Sequence, residues 1–283
     1  MNRETRIQRI QEIISRDKDN PFGKQEIPWE DGLKTMNSYL IPLELLVYNQ
    51  YNGRILSRTM SLKAQGKEIV IVSSGAVGLG NNHLTWQKSE DKLLNKCSAS
   101  IGQSKLMYSY QNSFDKFNLS IAQLLLTNKN FKTNRRKKRI KNVLEKLLEI
   151  GIIPIINEND SITESETSFG DNDILAGHIS NITKANLLII LSNVDGIYRN
   201  YIKKDVINYI SKTDSTIKNY VTSNRSSFGK GGMMSKIHAA KICSQTNTMT
   251  VIANGQEKNI LLKIINGKNI GTLINLEDSS KWN

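Results

Sequence analysis

The sequence predicts an α/β fold, a mostly parallel sheet with helices on both faces in three αβα layers. Two observations carry that expectation. Short runs that are apolar throughout, such as Ile152 to Ile156 and Leu187 to Leu191, read as strands buried on both faces. Between such runs lie longer stretches with helical apolar spacing, so strand and helix alternate along the chain. A third observation places function within that frame. Amides and carboxylates cluster directly after Ile156, at the carboxyl end of a strand, where open α/β sheets bind ligands.

Taken in order, Lys67 to Val72 is a strand, and Ser73 to Gly78 a small-residue turn entering a helix. Such a turn brings backbone N–H groups close to an anion at a helix N-terminus. Lys92 to Phe117 has the periodicity of one or two helices, and Leu119 to Thr127 is a strand. Lys138 to Ile150 reads as an amphipathic helix, with Ile140, Val143, Leu144, Leu147 and Leu148 on its apolar stripe. Beyond the 152–156 strand, Ile174 to Ile182 is helical, Asn186 to Leu191 a strand and Ser192 to Gly196 a tight loop. Met233 to Gln245 forms a helix, Thr248 to Ala253 a strand, Asn259 to Ile264 a helix, and Gly271 to Ile274 the last strand.

Residues 1–34 differ in kind. A basic amphipathic stretch (Ile7, Ile10, Ile13, Ile14) precedes a turn-rich segment, which suits an appended arm. The expected organisation is an extension over 1–34, one domain over 35–276 and a tail over 277–283.

Composition removes several function classes. No apolar run is long enough to span a bilayer, and the charged N-terminus has no signal-peptide core. Cys97 and Cys243 lie far apart without metal-like spacing, so a reduced cytoplasmic protein with buried thiols is expected. His83, His178 and His238 are isolated, and no nucleophile elbow or metal-site spacing occurs. The net charge of +13 is densest at Arg135 to Arg139. Phe131 is the only aromatic beside that run, so nucleic acid is not the expected partner; a solvated helix face or an anionic small molecule accounts for the charge.

Two segments carry the chemistry. Asn157, Glu158, Asn159 and Asp160 form one polar cluster; after a turn at Gly170, Asp171, Asn172 and Asp173 form a second. Further on, Gly229-Lys230-Gly231-Gly232-Met233-Met234-Ser235-Lys236 opens a helix. Glycines there admit phosphate to the backbone, and Lys236 can neutralise developing negative charge. The spacing is not that of a Walker A loop. A small-residue anion turn, a polar double cluster and a glycine-rich loop with lysine suit phosphoryl transfer, which needs positioning and positive charge more than covalent participation.

Taken together, Val70 to Val77, Gln123 to Thr127, Ile156 to Asp160, Gly170 to Asp173 and Gly231 to Lys236 resemble the glutamate 5-kinases of the amino-acid kinase superfamily. The paired Asn-Glu-Asn-Asp and Gly-Asp-Asn-Asp segments are the most specific part. The resemblance implies an αβα sandwich around a sheet of about eight strands, and ATP-dependent phosphorylation of the γ-carboxylate of L-glutamate with Mg²⁺, the first step of proline synthesis. By position, it implies that Ser74 and Gly75 bind glutamate through their turn, while Asp160 and Asn172 hold its charged groups. Asp173 is expected to orient the catalytic lysine, Lys236. Ser192, Asn193, Gly231, Gly232, Met233 and Lys236 are implied to contact ATP. No protein metal site is expected; a homo-oligomer, and proline as a feedback inhibitor, are.

The sequence departs from the family in three places. Asn193 replaces the aspartate of a Thr-Asp nucleotide pair, and the C-terminal PUA-type domain of longer members is not expected. More seriously, the family's first strand ends in Lys-x-Gly-Ser/Thr, whereas here the matching stretch is Tyr39 to Val47, with Pro42 near the lysine position and Glu44 near the glycine. A carboxylate beside phosphates is repulsive. Three readings account for this: a frame or start error within residues 1–45, a non-catalytic pseudokinase, or substitution by another lysine such as Lys34 or Lys230.

Overall fold

The computed structural model describes residues 38–43, 59, 62–63, 65–84, 91–164, 168–200, 202–211 and 232–275, with the backbone alone at 38–43 and 82–84. The N-terminal arm, Glu44, the loop through Lys230 and Gly231, and the tail lie outside the described residues. The described strands are β1 Ser38–Leu43, β2 Glu68–Ser73, β3 Ile121–Leu126, β4 Ile153–Glu158, β5 Leu187–Ser192, β6 Tyr198–Asn200, β7 Asp205–Val206, β8 Tyr209–Ser211, β9 Met249–Asn254 and β10 Thr272–Asn275. The described helices are α1 Ala76–Leu84, α2 Lys92–Asp115, α3 Asn134–Glu149, α4 Asn172–Thr183, α5 Gly232–Ser244 and α6 Ile260–Ile265.

Eight strands form one sheet in the order β3-β4-β2-β1-β5-β9-β10-β8, and β6 pairs with β7 as a separate ribbon. From β3 to β9 all neighbours are parallel; β10 runs antiparallel to β9 and parallel to β8. Strand alternation sorts the core into two layers. Ile69, Ile71, Ile155 and Ile189 point to one face, where Ala76 and Leu79 of α1, Leu106 and Phe114 of α2, and Leu261 and Ile264 of α6 cover them. Val70, Val72, Ile156 and Ile190 point to the other, under Ile140 and Leu144 of α3, Leu175 and Ile179 of α4, and Ala239 and Cys243 of α5. The expected three-layer sandwich is therefore what the chain forms.

β1 occupies the centre of the sheet. It pairs with β2 in full register, Pro42 opposite Val72 and Leu43 opposite Ser73. On its other side the register with β5 is kept at Tyr39, Leu40 and Leu43, and is interrupted at residues 41 and 42. Proline has no N–H to give to a ladder, which is why it is rare in central strands. The strand ends level with Ser73 and Leu191.

Several elements differ from expectation for identifiable reasons. α2 is one continuous helix, capped by the Asp91 carboxylate, which accepts from Leu93 N at 2.7 Å. α3 begins four residues early because Thr133 caps it, its Oγ1 accepting from Arg136 N at 3.3 Å. The first turns are entirely polar, so apolar spacing could not reveal them. Ile140 and Leu144 are buried as expected, but Val143 is 49% exposed. β4 runs two residues further, so Asn157 and Glu158 belong to the strand itself. The strands β6, β7 and β8 are too short to leave a periodic signal. Cys243 is buried, but Cys97 is exposed on α2, correcting the expectation that both thiols are buried.

Helices α1 and α2 cross with almost no separation. A Cβ on Gly102 would lie 1.7 Å from the Ala76 carbonyl oxygen, and one on Gly80 would lie 1.9 Å from that of Ser98. A Cβ on Gly78 meets nothing within 4 Å. Gly102→Ala should therefore destabilise the protein by about 2–4 kcal/mol through overpacking against backbone. Gly78→Ala, by removing a helical glycine, should stabilise it by about 0.5–1 kcal/mol. Urea unfolding of the two variants checks both signs; equal effects would refute the close crossing.

Candidate active site

The carboxyl ends of β2, β1 and β5 converge with the N-termini of α1, α4 and α5, and the polar clusters of the sequence meet there. At the end of β2 the chain turns through Gly75, whose φ of 99° suits a residue without a Cβ, and enters α1. Ser73 is fully buried and shares a 2.9 Å hydrogen bond with the Tyr110 hydroxyl of α2. Burial pushes the Tyr110 phenol up to about 12, against a smaller lowering by Ser73, so it stays protonated.

β4 supplies the second wall. Its last residue, Glu158, accepts from Phe169 N at 3.0 Å and from Ser168 Oγ at 3.3 Å, which folds the loop after β4 back over the strand end. Asn159 continues the strand's contact, its N donating to Leu126 O at 2.8 Å. Gly170, at φ 74°, makes the turn that leads into α4. Phe169 is held by aromatic contact with Phe131 and His178, centroids 5.3 and 5.8 Å away. Burial, then Lys137 and His238, bring His178 down to about 4, so it packs as a neutral ring. Half-buried Asp160 is pushed up to about 6, by burial first and by Glu158 second.

Between these walls runs a chain of amides. Asn157 Oδ1 accepts from Glu158 N at 2.9 Å and from Asn172 Nδ2 at 3.1 Å; Asn172 Nδ2 also donates to Ser73 O at 3.0 Å. Asn157 Nδ2 donates to Gln103 Oε1 of α2 at 2.8 Å. α4 begins at Asn172, two residues before the expected start, because Asp171 caps it by accepting from Asp173 N at 3.0 Å. Asn172 and Asp173 thus sit in the first turn of a helix and point back to the sheet end.

Asp173 has no exposed surface. Its Oδ2 accepts from Lys236 Nζ at 2.8 Å and from Ser235 Oγ at 2.9 Å. Burial pushes the Asp173 carboxyl up; the Lys236 ammonium pulls it back, Asp171 adds to the rise, and the two hydrogen bonds oppose it. The pair is possible because α4 and α5 touch closely. A Cβ on Gly177 would lie 3.0 Å from the Ala239 Cα, and Asp173 and Ser235 lie one turn before those residues. Lys236 is itself 4% exposed and is the only lysine in the buried set among the described residues.

Across β1, the tip of β5 carries Ser192 and Asn193, joined by a 3.4 Å hydrogen bond. Asp195 behind them is held low by hydrogen bonds from Asn254 and then Tyr198, at 2.9 and 2.8 Å. Gly232 and Met233 open α5; Gly231 lies outside the described residues. The structure therefore brings Ser74, Gly75, Asn172, Asp173, Ser235 and Lys236 around one strand-end cleft, with Ser192 and Asn193 at the neighbouring strand end. Gln103 joins this arrangement without having been singled out in the sequence. Asn157 and Ser235 lay inside segments already singled out, whereas Gln103 sits mid-helix with no local cue. Among the described residues no group of three or more His, Cys, Asp or Glu is placed to hold a metal ion, and no helix is long and apolar enough to cross a membrane.

Comparison with known proteins identifies the family. The amino acid kinase family matches residues 53–254, starting after β1. The glutamate 5-kinase of Methanosarcina mazei is 38% identical over 226 residues, covering 77% of this chain and 59% of that protein. That of Alkaliphilus metalliredigens is 38% identical over 217 residues, covering 75% and 82%. The chain spans about three fifths of the length of most of these relatives, 59% to 62% for the first four. Among solved structures, N-acetylglutamate synthase from Neisseria gonorrhoeae with coenzyme A and N-acetyl-glutamate superposes with a TM-score of 0.66 at 14% identity, over 87% of this chain and 61% of that one, a likeness of fold. The chain belongs to the amino acid kinase family, and its similarity within that family runs to the glutamate 5-kinases.

Proposed function

We propose that the chain binds L-glutamate and ATP and transfers the γ-phosphoryl group to the γ-carboxylate of glutamate, giving L-glutamyl 5-phosphate for proline synthesis in the cytoplasm. The observation that carries this reading is the buried Lys236–Asp173 pair beside an amide-lined cleft at the strand ends. An ionised γ-carboxylate oxygen attacks the γ-phosphorus while the bond to the bridging oxygen breaks and ADP leaves, so no proton need be moved. Lys236 offsets charge on the transferred group, and Asp173 with Ser235 keeps its ammonium aimed. Ser74 and Gly75 offer turn N–H groups to a carboxylate, and Asp160 and Asn172 meet the charged groups of the amino acid. Ser192, Asn193, Gly231, Gly232 and Met233 border the nucleotide, with residues 35–276 as the kinase domain. Mg²⁺ fits as a companion of the phosphates, for which one or two carboxylates suffice. Asp173 Oδ1 and Asp171 Oδ2 are buried and unpartnered among the described residues and are the oxygens that could join it; when bound, the ion neutralises phosphate charge. Proline as an inhibitor in the same cleft, and a homo-oligomeric assembly, belong to the same proposal.

A second reading has its own observation. Pro42 stands in β1 near the position at which the resemblance implies a lysine, and losing a charge-stabilising group commonly costs a factor of about 10² to 10³ in rate. On that reading the chain binds glutamate or proline without turnover. A coupled assay with glutamate, ATP and Mg²⁺ separates the two. Slow turnover, lowered a further 10²-fold or so by Lys236→Ala, supports the kinase. Calorimetric binding of glutamate with no turnover at any ATP concentration supports the pseudokinase.

Asp160 adds a pH test. With its carboxyl raised from 3.8 to about 6, its contribution to stability is fully present below about pH 4 and is lost as pH rises through 6. Asp160→Asn should therefore stabilise the protein above pH 6, by about 1–3 kcal/mol, and leave it unchanged at pH 4. A glutamate ammonium requires the ionised form, so glutamate affinity should rise about tenfold from pH 5 to pH 7 in the parent chain and not in the variant. A flat affinity profile in the parent chain would remove Asp160 from the site.

A further inference from the structure

The polarity of the amide chain is set by the backbone at two points. Glu158 N–H can only donate, so the atom of Asn157 that meets it at 2.9 Å must be the carbonyl oxygen. That turns the Asn157 NH₂ toward Gln103, which must then present its oxygen, at 2.8 Å. Ser73 C=O can only accept, so the atom of Asn172 that meets it at 3.0 Å must be the NH₂. The same NH₂ also satisfies Asn157 Oδ1. Every amide orientation in the chain follows from these two main-chain groups.

Two atoms are left over, and they are of opposite kinds. Gln103 Nε2, a donor, and Asn172 Oδ1, an acceptor, are both fully buried and have no partner among the described residues. A buried amide atom without a partner costs about as much as a lost hydrogen bond, so such a pair is expected where a ligand completes it. The complement of one donor and one acceptor is an α-amino acid, whose carboxylate accepts and whose ammonium donates. We propose that Gln103 is a specificity-determining residue that donates to the α-carboxylate of the bound amino acid, while Asn172 Oδ1 takes a proton of its α-ammonium. The ligand is thereby held one way round, its side chain directed away from the amide chain. This rests on the glutamate-binding reading above and assigns to Gln103 a role that the sequence did not suggest.

The substitution Gln103→Glu is nearly isosteric and keeps an oxygen for Asn157 Nδ2, but it replaces the free donor by an acceptor. It tests polarity rather than packing. Calorimetric titration of the full chain at pH 7.5 with L-glutamate and with L-isoglutamine, in which the α-carboxylate alone is an amide, reads the effect. The parent chain should prefer glutamate about tenfold or more. Gln103→Glu should weaken glutamate about tenfold or more while holding or improving isoglutamine, so the preference narrows or inverts. Under turnover conditions the loss should fall on KM for glutamate and not on KM for ATP. Should Gln103→Glu fail to fold by its thermal transition, Gln103→Met, which removes the donor without adding charge, should still erase the preference between the two ligands. A folded variant of either kind that keeps the parental preference overturns the assignment while leaving glutamate binding intact. If the parent chain binds neither ligand, both this assignment and the glutamate-binding reading fall together.

Discussion

The rest of the site depends on one buried ion pair. Taking a carboxylate and an ammonium out of water costs several kcal/mol per ion, and the pair survives only where geometry and extra hydrogen bonds offset that cost. Asp173 and Lys236 meet at 2.8 Å, and Ser235 adds a second donor to the same oxygen. Their positions are not local accidents. The first turns of α4 and α5 must be level and close, and the small faces at Gly177 and Ala239 allow that approach. Those helices lie on one face of the sheet because the alternation of β5 and β9 directs Leu188, Ile190 and Ile252 toward them. Core packing on that face is therefore a condition for the charge arrangement at its edge.

Around this pair the cleft divides into halves with different physics. On the β4 and α2 side the lining is amide and hydroxyl, tied to main-chain groups, with little freedom to reorient. On the β5 and α5 side it is strand end and helix entry, with the Ser192–Asn193 corner and Gly232 at φ 39°. On the proposed reading, fixed dipoles hold the acceptor on one side and the helix entry at Gly232 faces the phosphate donor on the other. β1 runs between the halves. In this chain the strand carries Pro42, and the ladder to β5 is interrupted beside it.

Much of the fold was legible in the chain. Runs such as Ile152 to Ile156 are apolar on both faces and too short to be independent helices, so a buried parallel strand was the consistent choice. The polar clusters following them were equally readable, since strand ends are where α/β sheets bind ligands. Less legible were elements whose signal is not periodic. The first turns of α3 are all polar and the strands β6 to β8 span two or three residues, so neither leaves a pattern. Cys97 resembles a small buried residue in sequence, and only packing shows that its side of α2 is exposed.

The sequence by itself determined the alternating architecture, the two polar clusters and the glycine-rich helix entry with its lysine, because these are local in the chain and each has a residue-type signature. Tertiary structure alone decided which of those groups meet. Asp173 finds Lys236 and Ser235 some sixty positions away. The amide of Gln103, mid-helix and fifty-four residues before Asn157, acquires its meaning only where α2 crosses the ends of β2 and β4. The direction of that amide is dictated by an N–H of β4 and a carbonyl of β2, and no linear pattern of side chains encodes such a backbone constraint.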